Sequence, residues 1–559
     1  MKEKIVEGKA CTQCNVEFQI TDKDLEFYEK ISPVFHWEKY QIPSPNLCPS
    51  CREQQRFSFR NERKLYKRIC DASGKEIISV YNPESPCVVY QQDIWWSDSY
   101  NPTDYGMEID FSRSFFEQYR ELFLKVPKSS IQNANSIGSE YTNYSHNNRN
   151  CYSLVGAWWS EDCYYGYRIF ETKDTVDSFD MSKSENNYEC LEGSNLYWSK
   201  YSQGCTDSSF LEYCRDCINC ENCFGCMNLV GKKYCIFNKQ YTKEEYEIEV
   251  NRLKKSKNLE QEISEFASNQ IHRGTSHINC QQVSWDQLIN CKNTSDCYHF
   301  IDSEEVKYSA FWWWNKVCQD INFADQCELM YYWTNLQKNY MVAFTFLAWN
   351  VSESYYITNC MWGSHLFLST WTKDSQYCIL NKQYTKEEYE QLVPKIIEKM
   401  KEDSEWWEFF PSSLSPFGYN ETVANEHFPL TKEEALKKWC NWSDYEAPFP
   451  KVEKIIPAEK LPQNIEDIPD DILNWAIECE VTKKPFRIIK PELEFYRKHN
   501  LWIPKRHPDQ RHLDRMNLIN PRKLYERNCD KCIKEIHSTY HLDCDETVYC
   551  EACYKKEIY

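Results

Sequence analysis

Pairs of cysteines separated by two residues stand near both ends of the chain, and they are the residues best suited to chemistry. A C-x-x-C turn presents two thiolates to one metal ion, and two such turns make the tetrahedral four-thiolate set that structural zinc prefers. Such a site is closed to water and is therefore structural rather than catalytic. We expect two Zn²⁺ ions, with the ligand sets Cys11, Cys14, Cys48 and Cys51 and Cys529, Cys532, Cys550 and Cys553.

The two ends of the chain are copies of one sequence unit. EFQITDKDLEFYEK in copy one (residues 1–98) matches PFRIIKPELEFYRK in copy two (residues 467–559), and RKLYKRICD matches RKLYERNCD. Each copy contains two sub-sites, and each has lost the metal ligands of a different one. The altered sets are Cys70, Ser73, Gln91 and Ile94 in copy one and Cys479, Thr482, His507 and Gln510 in copy two. This complementary loss indicates that the fold of a copy survives without one of its metals.

Basic residues concentrate beside these cysteines, although the chain carries a net charge of −19. A basic helix face next to a zinc turn is a surface that can contact phosphate. The alternative is that the arginines pair with Asp and Glu inside each copy and fix the helix against the cysteine turn. The arginines that match between the copies, and that we predict as phosphate-binding, are Arg52, Arg56, Arg63 and Arg68 and Arg511, Arg515, Arg522 and Arg527.

A run of five cysteines with a strict three-residue step is harder to interpret. These residues are Cys214, Cys217, Cys220, Cys223 and Cys226 in CRDCINCENCFGC. An iron–sulfur cluster needs thiolates at such spacing, but the bacterial ferredoxin run continues with a Cys-Pro pair that is missing here. A third zinc site, a cluster and a purely structural stack of turns therefore all stay open.

The middle of the chain contains a second duplication, which predicts the elements that hold these residues. YCIFNKQYTKEEYE from Tyr234 recurs as YCILNKQYTKEEYE from Tyr377, and Thr242 and Thr385 each begin a capping box and hence a helix. Thr431 begins a third. Short strands between polar turns precede each block, and Cys and aromatic residues recur every 12 to 24 residues or so. This recurrence favours a β-solenoid of stacked rungs, with an irregular β-sandwich as the alternative.

We therefore predict a mainly β fold with helices. A duplicated central β-solenoid (a parallel β-helix) is flanked by duplicated zinc-ribbon or zinc-knuckle units at both termini. The predicted division is 1–98 for the first zinc unit, 99–145 for a connecting and capping segment, 146–273 and 274–403 for the solenoid halves with their capping helices, 404–466 for a linker with a short helix, and 467–559 for the second zinc unit.

Composition excludes several classes of function. With 13 glycines in 559 residues, the chain has no Gly-rich phosphate loop, and no H-E-x-x-H or G-x-S-x-G motif occurs. We name no catalytic residue, because 85 acidic residues make chance carboxylate pairs inevitable. No apolar run suits a membrane span, and the first residues lack an apolar signal core, so we expect a cytoplasmic protein without a membrane partner. In that compartment, 30 cysteines indicate metal sites and buried thiols rather than disulfides.

Adjacent tryptophans recur along the chain and could stack on bases or sugars. The alternative is that each run is half core and half surface. The runs are Trp95–Trp96, Trp158–Trp159, Trp312–Trp313–Trp314 and Trp406–Trp407.

Several of these motifs resemble those of an uncharacterised family of cysteine-rich proteins that contain zinc ribbons and are common in bacteria with very small genomes. The motifs are IPDDILNW, RKLYERNCDKC and VYCEACY near the end of the chain, CPSCR, RNERKLYKRICD, WWSD and DFSRSFFEQ near its start, and YCIFNKQYTKEEYE in the middle. The resemblance covers most of the chain and implies zinc-ribbon-like ends and a cysteine-rich middle, but no activity. Family members are often named CaiB/BaiF CoA-transferases, and neither the glycine content nor any motif here resembles such an enzyme.

Three classes of function follow from these observations. The first is a non-catalytic zinc scaffold that binds RNA, DNA or a ribonucleoprotein through its basic ends. The second is a β-solenoid scaffold that binds other proteins. The third is an enzyme with an unrecognised site in the solenoid groove. Salt-sensitive nucleic-acid binding separates the first from the others.

Overall fold

A computed structural model describes residues 3–323, 327–449 and 451–559. The chain forms two compact units, and each combines segments that are far apart in sequence. Unit 1 contains Met1–Ser130 and Thr275–Tyr445, and unit 2 contains Ile131–Gly274 and Glu446–Tyr559. Copy one therefore belongs with the second solenoid half, and copy two belongs with the first. This interleaving differs from the linear division predicted above.

Both solenoid halves consist of parallel coils with a period of 12 residues. In unit 2, Cys163 pairs with Thr175 and Thr175 pairs with Asn187. In unit 1, Met330 pairs with Cys318 on one side and with Val342 on the other. The predicted β-solenoid is confirmed, and its period is 12 residues except in the first coil of unit 1, where Gln281 pairs with Lys292 and the register shifts between Val283 and Trp285. The first coil of unit 2 begins near Asn133, inside the predicted connecting segment.

Every third residue of a coil turns the chain, so that each coil has four sides of three residues. Asp207, Phe210, Tyr213 and Asp216 illustrate one coil, with φ between 50° and 57°. L-residues avoid this left-handed region, and Asn and Asp tolerate it best, which explains why they are frequent at these corners. Corner side chains also join successive coils, since Asn195 Nδ2 donates to Asp207 Oδ1 at 2.8 Å.

The inward-facing residue also recurs at every third position, and it is commonly small because the coil is narrow. Cys205, Ser208, Leu211 and Cys214 are successive examples, and all are buried. Their hydroxyl and thiol groups donate to backbone carbonyls, as Ser208 Oγ does to Thr206 O at 2.7 Å. A free thiol packs as a small hydrophobe. Core geometry, rather than metal, therefore accounts for the cysteines of the solenoid.

The strands of the two solenoid halves and of the terminal regions are as follows. In unit 2 the coil strands are Asn133–Ala134, Thr142–Asn143, Ser145–His146, Leu154–Val155, Glu161–Tyr164, Tyr167–Phe170, Lys173–Val176, Phe179–Ser182, Glu185–Tyr188, Leu191–Tyr197, Thr206–Glu212, Glu221–Phe224, Lys233–Ile236 and Lys239–Gln240. In unit 1 they are His277–Ile278, Gln281–Ile289, Lys292–Ile301, Glu304–Trp313, Lys316–Asn322, Glu328–Gln337, Tyr340–Phe367, Gln376–Ile379 and Lys382–Gln383. The remaining strands are Ile5–Ala10, Glu17–Thr21, Val34–Phe35, Glu38–Lys39, Tyr66–Ile69, Glu76–Ser79, Val89–Tyr90, Lys128–Ser129, Ile271–Arg273, Ile455–Pro457, Ala476–Glu478, Pro485–Phe486, Tyr525–Asn528, Glu535–Ser538 and Thr547–Tyr549.

The helices lie outside the coils, in the terminal regions and at the solenoid ends. They are α1 Asp22–Ile31, α2 Pro49–Phe57, α3 Gln92–Trp96, α4 Phe115–Lys125, α5 Lys243–Leu253, α6 Leu259–Ser268, α7 Lys386–Glu402, α8 Val423–His427, α9 Lys432–Lys437, α10 Lys490–Lys498, α11 Pro508–Met516 and α12 Glu551–Ile558. Within the described ranges, none of these helices has the length and apolar character needed to cross a bilayer.

The end of each solenoid half is closed by a hairpin and a helix, as the two capping boxes predict. Lys239–Gln240 pairs antiparallel with the last coil of unit 2, and α5 begins after Thr242, whose side chain accepts from Glu245 N. In unit 1, α7 begins after Thr385 in the same way and buries Tyr389 completely. Thr431 likewise caps α9. The antiparallel turn and the helix prevent further coils from stacking on the exposed strand edge.

Candidate metal centres and their surroundings

The first four-cysteine group lies in copy one. Cys11 and Cys14 come from the tight turn after strand Ile5–Ala10, and Cys48 and Cys51 come from the start of α2. The four Sγ atoms lie within 4.8 Å of one another, and Cys14 Sγ is 3.7 Å from Cys48 Sγ. Four thiolates about 2.3 Å from a central Zn²⁺ would be separated by about 3.8 Å. The cysteines thus fit a tetrahedral metal site.

The second four-cysteine group lies in copy two and repeats this geometry. Cys529 and Cys532 occupy the turn between Tyr525–Asn528 and Glu535–Ser538, and Cys550 and Cys553 come from the start of α12. The Sγ atoms of Cys532 and Cys550 are 3.7 Å apart. Among the described residues, these two groups are the His, Cys, Asp or Glu clusters that could hold a metal ion. Both predicted ligand sets are brought together.

Each group contains a thiol whose pKa is lowered towards the thiolate, the form that binds metal, whereas the pKa of Cys14, Cys51 and Cys553 is raised. A hydrogen bond from the Cys51 thiol lowers the pKa of Cys48 to about 5. Burial opposes ionisation of Cys529, but backbone hydrogen bonds from Cys550, Cys532 and Lys531 together lower the pKa of this thiol to about 6.

The second sub-site of copy one keeps the turn of a metal site without its ligands. Gly74 N donates to Cys70 O at 2.9 Å, as Ile533 N does to Cys529 O at 2.9 Å in copy two. Ser73 Oγ donates to Gln91 Oε1 at 2.9 Å, and Gln91 N donates to Cys70 Sγ at 3.2 Å. Hydrogen bonds between the residues that replace the ligands therefore link the two halves of this sub-site.

The first sub-site of copy two shows the same kind of replacement. Lys483 N donates to Cys479 O at 3.1 Å, and Thr482 N donates to Cys479 Sγ at 3.4 Å. His507, at another former ligand position, caps α11 by accepting from Asp509 N at 3.1 Å. The backbone turn thus persists, while the side chains have taken other partners.

The run from Cys214 to Cys226 lies inside the coils of unit 2. Four of its cysteines are the inward residues of successive sides, and Cys226 begins the next coil. Cys214 Sγ donates to the carbonyl oxygens of Glu212 and Cys223 at 3.5 and 3.4 Å. The run does not form one of the metal-binding clusters of the described residues. The geometry favours the structural alternative over zinc or a cluster.

The arginines of α2 are buried against the second solenoid half. Arg52 Nε lies 2.9 Å from Asp320 Oδ1, and Arg56 Nη1 lies 3.1 Å from the same oxygen. Each of the two arginines is 1% exposed and Asp320 is fully buried. Arg56 also donates to Asn322 Oδ1 at 2.9 Å. A phosphate could reach these guanidinium groups only by displacing Asp320, so they do not form the predicted phosphate surface.

The matching arginines of α11 are bound in the same way in unit 2. Arg515 Nη1 lies 2.9 Å from Asp177 Oδ1, and Arg511 Nη1 bonds to the other carboxylate oxygen. Arg511 Nη2 lies 3.3 Å from Glu492 Oε1 of α10. Asp177 and Asp320 differ by 143 positions, the offset between the two YCI(F/L)N blocks. We call each arrangement an arginine clamp.

The other predicted phosphate-binding arginines are also engaged within their copies. Arg68 pairs with Asp71 at 3.2 Å, and Arg527 pairs with Asp530 at 3.1 Å. Arg63 and Arg522 are half-buried. The clamp aspartates were not found from sequence, because they lie more than 260 residues from their arginines among 85 acidic residues. Their 143-residue offset was the signal that could have identified them.

The tryptophan runs divide between core and surface. Trp95, Trp406 and Trp407 are buried, whereas Trp96, Trp159 and Trp314 are exposed. The side chains of Trp312 and Trp313 lie outside those that the structure describes.

No protein-family model matches this chain, and no curated protein matches it.

Proposed function

We propose that the protein is a zinc-dependent, non-catalytic scaffold for protein partners. In each unit, a terminal copy is anchored on a solenoid half, and the outer sides of the coils provide long, regular binding surfaces. The observation that carries this proposal is the repeated arginine clamp, in which Arg52 and Arg56 meet Asp320 and Arg511 and Arg515 meet Asp177. Because both units have the clamp and a four-cysteine group, we interpret each terminal copy as rigidly attached to its solenoid half.

Zinc is the metal that best suits the two four-cysteine groups. Four thiolates and no other ligand make a closed tetrahedral site, and such sites contribute stability rather than catalysis. In our proposal each zinc ion holds a cysteine turn against the start of a helix, so that the copy presents a fixed surface to its solenoid half.

Protein partners are favoured over nucleic acid by the state of the arginines. Neutralisation of phosphate charge supplies most of the affinity in nucleic-acid binding. The guanidinium groups of Arg52, Arg56, Arg511 and Arg515 are buried and already paired with carboxylates. A net charge of −19 also opposes contact with a phosphate backbone. A stack of coils, by contrast, offers the extended surface on which repeat proteins bind other proteins.

Metal analysis combined with nuclease treatment tests this proposal. The purified full-length chain should contain about two zinc ions, and Cys529→Ser with Cys532→Ser should reduce this to about one. Partners that remain bound to an affinity-tagged chain after digestion with RNase and DNase support a protein scaffold. Partners that are lost on digestion, or a folded chain with less than one zinc ion, contradict the proposal.

A further inference from the structure

An aromatic cluster lies next to the second sub-site of copy one, on the helix α3 that follows Gln91. Val88–Tyr90 aligns with Thr547–Tyr549, so Trp95 stands at the position of Tyr554. Trp95 is fully buried and packs edge-on against Trp371, with ring centroids 5.2 Å apart. In unit 2, Tyr554 OH instead donates to Asn228 Oδ1 at 2.7 Å. The aromatic contact therefore joins α3 to its solenoid half, at the place where a hydrogen bond joins α12 to the other half.

Two further tryptophans of this cluster face solvent and lie outside the core. Trp96 is 37% exposed and Trp362 is 45% exposed, and their ring centroids lie 5.8 Å apart. Trp96 is held by an edge-on contact with Trp95 at 4.8 Å. Trp362 stands at a left-handed corner, with φ 51°, which fixes its direction away from the coil. Neighbouring exposed tryptophans on rigid elements are typical of binding surfaces.

Acidic groups border the exposed pair. Asp374 is the corner residue one coil after Trp362, because the two positions differ by one 12-residue period, and Asp98 follows Trp96 by two residues. Both carboxylates are exposed. Burial lowers the pKa of neighbouring Lys373, and the carboxylates of Asp374 and Asp98 oppose this fall. The surface is thus aromatic in its centre and negative at its edge.

The cluster already binds one cation of its own chain. Lys373 Nζ lies 5.1 Å from the centre of the Trp95 ring and 5.4 Å from that of Tyr100. The same ammonium group donates to Trp95 O at 2.9 Å. Lys373 lies over the buried tryptophan, and the exposed rings of Trp96 and Trp362 present the same chemistry to solvent. Cations are attracted to the faces of tryptophan rings.

We propose that Trp96, Trp362, Asp98 and Asp374 form a docking surface for an arginine-rich segment of a partner protein. This inference rests on the proposed scaffold function and names the chemistry of its partner. A guanidinium group can stack on an indole ring while its N–H groups bond to a carboxylate, which an ammonium group does less well. The net charge of −19 adds long-range attraction for such a segment.

Unit 2 supplies the matched control, because it has the same fold without these side chains. Lys555 aligns with Trp96, and Asn219 lies 143 positions before Trp362. Both residues are exposed. Trp96→Lys with Trp362→Asn therefore gives unit 1 the residues that unit 2 tolerates, and Lys555→Ala with Asn219→Ala changes the same places in unit 2.

The test is fluorescence anisotropy of a labelled peptide with six Arg-Gly repeats, added to the zinc-loaded full-length chain. We expect Trp96→Lys with Trp362→Asn to weaken binding about tenfold or more, and Asp98→Asn with Asp374→Asn about threefold. Lys555→Ala with Asn219→Ala should leave the affinity unchanged. A peptide of six Lys-Gly repeats should bind more weakly than the arginine peptide.

Three outcomes would overturn this inference. The first is a wild-type chain that binds the arginine peptide no better than a Glu-Gly peptide of equal length. The second is unchanged affinity in both unit 1 variants, with hydrogen exchange confirming that they are folded. The third is a neutral oligosaccharide, cellohexaose, that binds at the tryptophans where the peptide does not. If nuclease-resistant partners still bind in any of these cases, the scaffold function stands and only the docking surface fails.

Discussion

The second sub-site of copy two and the second sub-site of copy one have the same backbone turn and different means of support. In copy two the turn carries Cys529 and Cys532 of a complete four-cysteine group. In copy one the matching turn carries Cys70 and Ser73, and Gln91 N reaches Cys70 Sγ at 3.2 Å, the distance that separates Cys550 N from Cys529 Sγ. The first cysteine and its N–H donors therefore define the turn without a full set of metal ligands.

The difference teaches that metal ligands and hydrogen-bonding side chains are alternative supports for this turn. Where ligands are missing, Ser73 Oγ bonds to Gln91 Oε1 across the sub-site. Where all four ligands are present, their Sγ atoms lie within 4.8 Å of one another. The two sub-sites should consequently respond in opposite ways to metal removal and to loss of hydrogen bonds.

The largest effect should follow from removing ligands. Cys529→Ser with Cys532→Ser should abolish one zinc site and unfold the region around α12, since zinc binding to such peptides provides about 10 kcal/mol or more of folding free energy. Ser73→Ala with Gln91→Ala should cost about 1–2 kcal/mol, the value of one or two hydrogen bonds. Segment-resolved hydrogen exchange measures both, and equal protection in the two variants would contradict the comparison.

The arginine clamps should stabilise both units, and unit 1 should depend more strongly on its single clamp aspartate. Asp320→Ala removes the carboxylate of both Arg52 and Arg56, and Asp177→Ala removes that of Arg515 and one of the two that bind Arg511. Each change should destabilise its unit by about 3–5 kcal/mol. Urea unfolding followed by hydrogen exchange in each unit checks this. Glu405→Gln serves as the control. Glu405 is a buried acid that caps α4 in unit 1, and it does not belong to an arginine clamp.

Acid should destabilise unit 2 through two buried histidines. Burial lowers the pKa of His272 and of His499 to about 4, and the nearby cations Arg215 and Lys200 act in the same direction. A histidine with a depressed folded pKa stabilises the fold fully above pH 6.5 or so, and this contribution is lost as the pH falls towards about 4. Each group should account for up to about 3 kcal/mol.

Hydrogen exchange of unit 2 between pH 7 and pH 4.5 measures this loss. His499→Phe should flatten the pH dependence without disrupting the packing, since His499 stacks on Phe495 with ring centroids 4.2 Å apart. An unchanged pH profile in this variant would show that His499 does not titrate with folding.

The smallest effect concerns the order in which the metals leave. Each group has one buried and one exposed cysteine in its first turn, but Cys550 and Cys553 are half-buried whereas Cys48 and Cys51 are buried. A chelator should therefore remove zinc from copy two first, on the order of tenfold faster, which corresponds to about 1.4 kcal/mol in activation free energy. Cys529→Ser with Cys532→Ser should abolish the fast phase and leave the slow one. Release in a single phase would contradict the difference in exposure.

Local patterns in the sequence predicted much of this structure. The C-x-x-C spacing identified both four-cysteine groups, and the capping boxes at Thr242 and Thr385 located the helices that close the solenoid halves. The run from Cys214 could not be resolved, because a three-residue step suits a metal loop and equally a coil with three-residue sides. Only the parallel register distinguishes them.

Contacts between residues far apart in the chain could not be predicted from the sequence. Nothing local to Arg52 indicates Asp320, and nothing local to copy one indicates that it belongs with the second solenoid half. The duplicated arginines suggested a shared role, which the clamps explain, but charge at a matching position does not reveal whether its partner is a buried carboxylate or a phosphate.

The 12-residue coil also restricts how this chain can change its length. A change of one residue must be absorbed by a local irregularity, such as the register shift between Val283 and Trp285 in the 11-residue first coil of unit 1. Inserting twelve residues adds a complete layer and disturbs nothing beyond it. The two halves are offset by 143 positions, one short of twelve complete coils, and α5 and α6 lie between them. Helices have no such period to preserve. Gains and losses of single residues should therefore accumulate in these helices, their connections and the coils at the solenoid ends, while the inner coils grow or shrink by whole layers.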